Sequence, residues 1–279
     1  MLTGASGAAP ATGAADTLRI CFFTDSHLPW GNTLARLTND KFHHQERIRV
    51  AFDMANAMGP DAYVFGGDNV FAVDQSGDGG DKEDNARGQF ENWAKVVAEK
   101  VKVPNHSVIG NHDIWHACPA GSDPKGLALK YFGMPNRYYR WQMKGWKFVM
   151  LDVFGINGKP VDAGQWDWLK QELDCRDPVC IVSHAPIFGP SIQLVGGGVA
   201  APRALRELFL SRPNVKLALS GHNHIVDSCA IDNVTYLCGG AVSAGWWEKD
   251  YEHFPPAFLF LNLHPDGTFT HKTVYWEKP

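Results

Sequence analysis

No run of apolar residues in this chain approaches the roughly 20 that a membrane-spanning helix requires, so no span is expected. Basic charge is not in excess either. The 26 Lys and Arg face 30 Asp and Glu, a formal net charge of −4, which leaves a nucleic-acid backbone little to hold; no nucleic-acid partner is expected. The six cysteines include no Cys-x-x-Cys pair, which argues against a structural zinc site. Most read as small buried hydrophobes, with a Cys175–Cys180 bridge left open by their short separation, and they do not settle the redox compartment. No internal repeat and no compositional shift marks a second domain. The chain of 279 residues is long enough for one substantial core, so residues 18–279 are read as a single domain. Residues 1–17 are almost entirely small and polar and are expected to be disordered. They lack the basic and apolar regions of a signal peptide. Two origins fit them equally: the spacer of an exported, periplasmic protein whose signal has been removed, or the flexible N-terminus of a cytoplasmic one.

What the chain does have is a series of short apolar runs, each ending in residues with metal-ligand chemistry. Residues 18–24 read as a buried strand and end at Asp25-Ser26-His27. Residues 62–65 end at Gly67-Asp68, and a short run through Val108 and Ile109 ends at Gly110-Asn111-His112-Asp113. Residues 179–183 end at His184, and residues 217–219 lead into Gly221-His222-Asn223-His224. Helical spacing of apolar residues places helices at 45–58, 89–100, 163–174 and about 202–211. Hairpins are expected at 138–143 with 146–153, at 226–231 with 234–238, and at 257–264 with 268–276. Residues 28–44 and 114–135 read as long rim segments, and the Asp- and Gly-rich residues 74–88 as a solvated loop. Strand–helix alternation with added hairpins predicts two mixed sheets face to face with helices outside. The ligand-type motifs then fall at the carboxyl ends of strands, where open α/β sheets build their sites.

Each motif alone has a bland reading: Asp-x-His as a turn, His184 as a satisfied core histidine, Asp68 as a turn residue after two glycines. Their ordered recurrence at strand ends points instead to a two-metal site, which needs one carboxylate that bridges both ions and mixed N/O donors on either side. Asp68 is the natural bridge. Asp25 and His27 lie two apart and can address one face; His222 and His224 do the same, one for each metal, with Gly221 making room.

The set resembles the calcineurin-like metallophosphoesterase superfamily, whose motifs run in the order Asp-x-His, Gly-Asp, Gly-Asn-His-Asp/Glu, a lone His and Gly-His-x-His. All are present here, from about residue 18 to the last strand. The resemblance implies an α/β fold, a four-layer α/β/β/α sandwich, in a single metallophosphoesterase domain. It implies that Asp25, His27, Asp68 and His224 hold one metal and Asp68, Asn111, His184 and His222 the other, both divalent or trivalent transition metals, with Mn, Fe and Zn all suited. It further implies hydrolysis of a small-molecule phosphate ester by attack of a metal-bridging hydroxide. His112 would be the unligated imidazole that stabilises the transition state or protonates the leaving oxygen, with Asp113 orienting that ring through its other nitrogen.

Two departures narrow the subfamily. Phe71 stands where purple acid phosphatases have tyrosine, so no tyrosinate–ferric colour is expected unless another residue such as Tyr138 reaches the site. Asn69-Val70-Phe71 stands where the protein Ser/Thr phosphatases have Asp-Arg-Gly after their Gly-Asp motif. No Arg lies beside any motif, Arg137 and Arg203 being the nearest, while Trp30, Trp115, Trp246 and Trp247 flank the motif loops. These tryptophans either stack on a flat ester group or simply pack the rim. The balance tilts toward phosphodiesters, with a phosphomonoesterase on the same site, or a non-catalytic interaction module of the same fold, as the alternatives.

Overall fold

A computed structural model describes residues 16–30, 42–74, 82–155, 161–200 and 202–277. Two sheets carry the fold. In the first, β1 (Leu18–Phe23) is central, parallel to β2 (Ala62–Phe65), which is parallel to β3 (Asn105–Ser107). On its other side β1 runs antiparallel to β10 (Ala257–Leu263), which forms the last hairpin with β11 (Phe269–Tyr275). The second sheet is ordered β4 (Tyr139–Met143), β5 (Trp146–Met150), β6 (Val179–Val182), β7 (Val215–Ser220), β9 (Val234–Gly239), β8 (Val226–Ile231). Strands β5, β6, β7 and β9 are parallel within it.

The alternation of side chains along the second sheet shows how the layers stack. Phe148, Met150, Cys180, Val182, Leu217 and Leu219 point into one core shared with Phe22 and Val64 of the first sheet and with Val108 just past β3. Their neighbours Val149, Ile181 and Ala218 face the opposite way, into a second core. That outer core is closed by Leu169 of α4 (Ala163–Glu172) and by Leu205 and Phe209 of α6 (Pro202–Leu210). The far face of the first sheet is covered by Ile48, Phe52 and Ala55 of α1 (His44–Ala57) and by Phe90, Trp93 and Val96 of α2 (Lys82–Lys100). The result is the α/β/β/α sandwich. The interior strands β2 and β6 are apolar over their whole length and buried throughout, as parallel strands between helical layers must be.

Two sequence expectations need correction, and one open question closes. Helix α2 starts at Lys82, not 89, so it takes in part of the expected loop 74–88. Its first turn is polar, with Glu83 and Asp84 favourably placed at the positive end of the helix dipole, and so carries no apolar periodicity to read. The segment 114–135 contains the short helix α3 (Gly126–Tyr131), and α5 (Ser191–Val195) precedes the glycine-rich loop; each is too short to show a helical pattern. All six cysteines are free, so Cys175 and Cys180 do not bridge. The disorder expected for residues 1–17 falls outside the described residues as far as residue 15; Thr17 is held, its hydroxyl 3.1 Å from Nδ1 of His264. Most of the rim segment 28–44 also lies outside them. Among the described residues no helix is long and apolar enough to cross a membrane.

Candidate metal centre

The carboxyl ends of β1 and β2, neighbours in the first sheet, face those of β6 and β7, neighbours in the second. Backbone hydrogen bonds tie the four loops together before any side chain is considered. Asp25 N–H donates to Gly67 O (3.0 Å), His27 N–H to Asp68 O (2.9 Å) and Gly221 N–H to His184 O (2.9 Å). Across the sheets, His222 N–H donates to Asp25 Oδ2 (2.9 Å). Asp25, His27, Asp68, His222 and His224 all adopt left-handed backbone, with φ between 40° and 68°. Non-glycine residues in that region carry strain of about 1–3 kcal/mol each when the surroundings impose it, and such strain concentrates at functional sites. Two glycines permit the close approach. A Cβ on Gly110 would lie 2.1 Å from Asp68 Oδ1, and one on Gly221 would lie 1.9 Å from the Thr24 hydroxyl and 2.2 Å from Asp25 Oδ2.

The side chains converge on Asp68. Its Oδ2 lies 3.1 Å from His184 Nε2, 3.7 Å from His27 Nε2 and 4.0 Å from His112 Nε2. Asp25 Oδ1 lies 3.3 Å from His224 Nε2 and 3.8 Å from both His27 Nε2 and His184 Nε2. Three donor groups each fall within 4.8 Å of one another: Asp25, His27 and His224; Asp68, His184 and His222; and His27, Asp68 and His112. Asp68 and His27 each belong to two of them, and of the two Asp68 is the carboxylate, the group type that can bridge two ions. Asn111, in the turn Asn111–Asp113, lines a cavity together with His222.

Hydrogen bonding assigns the histidine tautomers, because a carbonyl can only accept. Nδ1 of His184 meets Gly66 O at 2.7 Å, Nδ1 of His224 meets Ala244 O at 2.5 Å, and Nδ1 of both His27 and His112 meets Phe71 O, at 3.5 and 2.5 Å. Each ring therefore turns an Nε2 toward the centre, the arrangement that orients metal-binding imidazoles. Three buried atoms there make no well-formed hydrogen bond, Asp25 Oδ1, Asn111 Oδ1 and His184 Nε2, although the first and last have charged neighbours at ion-pair distance. Burying such groups unpaired is costly, and Nε2 of His27 and His224 stand 3.0 Å apart with their lone pairs opposed. Cations resolve both problems, so the donor set fits a metal pair. The ionisation pattern agrees. Burial holds His27 down at about 4, and burial together with His184 holds His222 at about 4, leaving both neutral with a lone pair to give. Burial pulls His184 down as well, but Asp68 and Asp25 overcome it and lift the ring to about 9. With no cation, the site thus takes up a proton that metal binding would release. Burial also works against ionised Asp25 and Asp68, yet the neighbouring histidines keep both carboxylates below their usual range.

One expected role is overturned. Asp113 does not orient the His112 ring; the Phe71 carbonyl does. The fully buried Asp113 carboxylate is spent on backbone. Oδ1 accepts from Asn69 and Val70 N–H (3.0 and 3.2 Å), and Oδ2 accepts from Asp68 and Gly110 N–H (2.9 Å each). It acts as a clamp holding the Asp68 loop against the Asn111 turn. Burial and then Asp68 push it up to about 7, against the four N–H groups that favour its charged form. Asp113→Ala would orphan four buried donors. It is expected to lower stability by about 3 kcal/mol or more, read as a fall in the urea midpoint at constant slope. A midpoint within error of the parent would show that the clamp is dispensable.

The four flanking tryptophans separate. Trp115 and Trp247 are core residues, the latter donating from Nε1 to His27 O (3.0 Å). Trp30 packs over Gly88 of α2. Trp246 alone lies at the site, its ring 4.7 Å from that of His224 and 5.8 Å from that of His27. Arg137 is engaged with Asp152 and Asp162, and the exposed Arg203 with Glu207, so neither reaches the centre. Tyr138 packs on Trp168 and likewise stays away. A cavity of about 330 Å³ opens beside Asn111 and His222. Its aromatic wall is Phe154, whose ring centroid is 5.6 Å from both His184 and His222. Sequence reading missed Phe154 because it belongs to no motif, and missed the carbonyls of Gly66, Phe71 and Ala244 because a backbone acceptor leaves no mark on residue identity.

Fold and donor set together define a metal-dependent hydrolase of phosphate esters with a dinuclear centre. The chain belongs to the calcineurin-like phosphoesterase family, whose model matches residues 18–226. Among solved structures it is similar to a dimetal phosphatase from Danio rerio, at 12% identity and a TM-score of 0.59 over 93% of this chain and 99% of that one. It is similar also to a purple acid phosphatase from yellow lupin (15% identity, TM-score 0.61), covering 93% of this chain but 52% of the lupin one. A third is GAP50, the anchor in the inner membrane complex of Plasmodium (16% identity, TM-score 0.59, 94% and 85% covered). At these identities the likenesses bear on the fold. No curated protein sequence matches the chain significantly.

Proposed function

We propose that the protein hydrolyses phosphodiesters in preference to phosphomonoesters. In this reading Asp25, His27, Asp68 and His224 hold one metal, Asp68, Asn111, His184 and His222 hold the other, and His112 works on the substrate. The observation that carries the ligand assignment is the convergence of two His/carboxylate groups on the single atom Asp68 Oδ2. When bound, a metal pair supplies Lewis acidity to the phosphoryl oxygens and a water acidified to near-neutral pKa. The chain's own part is positional. The Nδ1 bonds to Gly66, Ala244 and Phe71 hold the donor rings, and the Asp113 clamp holds Asp68. His112 differs from the other histidines around Asp68: its side chain is 25% exposed, whereas those of His27 and His184 are fully buried. With Nδ1 committed to Phe71 O, its Nε2 is the atom free to pass a proton to the leaving oxygen.

The preference for diesters rests on charge. A phosphomonoester is mostly a dianion at neutral pH, its second pKa being about 6, and sites that clamp the dianion add Arg, whose fork matches phosphate. No Arg or Lys is among the described residues lining the cavity beside His222, and Arg137 and Arg203 are engaged elsewhere. The expected result is a higher kcat/KM for bis(4-nitrophenyl) phosphate than for 4-nitrophenyl phosphate with the same metal loaded. A clear preference for the monoester would defeat this reading.

A further inference from the structure

We infer that the cavity beside His222 is a subsite for a flat, uncharged ester substituent, that Phe154 selects for it, and that Lys125 is the residue that positions Phe154. The inference rests on the phosphoester-hydrolase reading of the same centre and adds the class of group that the ester carries.

The cavity's walls are the apolar side chains of Ile114, Val153, Phe154, Ala185 and Val199, with stretches of bare backbone at Gly155, Gly197 and Gly198. Asn111, His116 and His222 are its polar members, and no Asp, Glu, Lys or Arg is among its described lining residues. A charged substituent entering here would lose water and meet no opposite charge among the described lining residues; an apolar ring gives up no such solvation. Size agrees, since a dry cavity of roughly 150 Å³ already accepts benzene and this one measures about 330 Å³. The space depends on glycine. A Cβ on Gly197 would come 2.7 Å from the His222 ring, so any larger residue would press on a donor group.

Phe154 is held with unusual thoroughness for a residue just past the end of a strand. Asp152 N–H donates to Gln165 Oε1 (2.9 Å), and the Gln165 amide donates back to Asp152 O (2.8 Å). Phe154 N–H donates to Asp152 Oδ1 (3.2 Å), and Lys125 Nζ donates to Phe154 O. Every backbone polar group of Asp152 and Phe154 is therefore bonded to a side chain. Lys125 also pairs with Asp152 Oδ2 at 2.5 Å, and both side chains are buried, Lys125 at 1% exposure and Asp152 at 0%. Arg137 reaches the same oxygen at 3.0 Å. A buried ion pair carries a desolvation cost that an apolar pair does not, so it is weak evidence for stability. What it does here is fix a turn, and the turn sets the Phe154 ring against His184 and His222 at the cavity wall.

The test uses metal-loaded protein, with phenylphosphonate and methylphosphonate as competitive inhibitors. It adds the kinetics of bis(4-nitrophenyl) phosphate and methyl 4-nitrophenyl phosphate, which share a leaving group. The parent protein is expected to bind phenylphosphonate about tenfold tighter than methylphosphonate, the size of an aromatic contact with ring burial. Its aryl preference among the diesters should appear in KM more than in kcat. Phe154→Ala should lose most of that contrast. Lys125→Met should lose part of it with metal content retained, and Lys125→Arg should recover more than Lys125→Met does. Equal inhibition of the parent by both phosphonates would overturn the inference. So would a Phe154→Ala protein in which both weaken together, since Phe154 would then only support the histidines. If neither diester is turned over but the phosphonate contrast persists against 4-nitrophenyl phosphate, the subsite stands and the diester preference alone has failed.

Discussion

Asp68→Ala is expected to abolish binding of the metal pair and, with it, hydrolysis. Asp68 Oδ2 stands between His184 Nε2 at 3.1 Å and His27 Nε2 at 3.7 Å, members of different donor groups. Deleting it removes a ligand from each group at once, whereas deleting His224 or His222 removes a ligand from one. Metal assistance contributes several kcal/mol of charge stabilisation, so loss of both ions should lower kcat/KM by roughly a thousandfold or more. Asp68 has a second duty that complicates the simple variant: its Oδ1 accepts from His112 N–H at 2.8 Å. Asp68→Asn keeps an acceptor for that bond while removing the charge, and should still lose most of the metal. The measurement is elemental analysis of the purified proteins beside their activity. One metal or none in fully active parent protein would sink the two-metal assignment, as would an Asp68→Ala protein that keeps both.

Much of this was legible in the sequence because the signals are local. A continuous apolar run that stops at Asp25 or His184 announces both a buried strand and what stands at its end, and the sandwich follows from strand–helix alternation. The hairpin around Asp232-Asn233 is placed to the residue because its turn chemistry is local too. What was not legible depends on neighbours distant in sequence. The first turn of α2 is polar and acquires its place from packing, not pattern. The role of Asp113 is decided by four N–H groups, three of them some 43–45 residues earlier in the chain. The tryptophans near the motifs gave no sign of which would be core, since a large aromatic serves a core or a rim equally well. Phe154 reaches the centre only because Lys125, Asp152 and Gln165 meet from three separate elements.

His112→Ala is expected to retain its metals and lose roughly a hundred- to ten-thousandfold in kcat, the range for a positioned general acid–base group. The position of His112 makes this a demanding expectation. Its Nε2 is 4.0 Å from Asp68 Oδ2, its ring centroid is 4.6 Å from that of His27, and it completes a group of ligand type with both. Distance alone would allow it to be a ligand. Two features set it apart. Its side chain is partly exposed while those of His27 and His184 are not, and His27 and Asp68 each already belong to a donor group without it, Asp25/His27/His224 and Asp68/His184/His222. Phe71 O fixes its Nδ1 as the donor, so Nε2 alone exchanges protons with a substrate oxygen. A proton given to the leaving group matters most when that group is a poor one. The deficit should therefore be largest for alkyl esters and shrink for 4-nitrophenyl esters, whose departing oxygen needs little help. A deficit independent of the leaving group would assign the ring to charge stabilisation instead. Loss of one metal in His112→Ala would show that the imidazole is a ligand and that the division of histidines between metals and substrate was drawn in the wrong place.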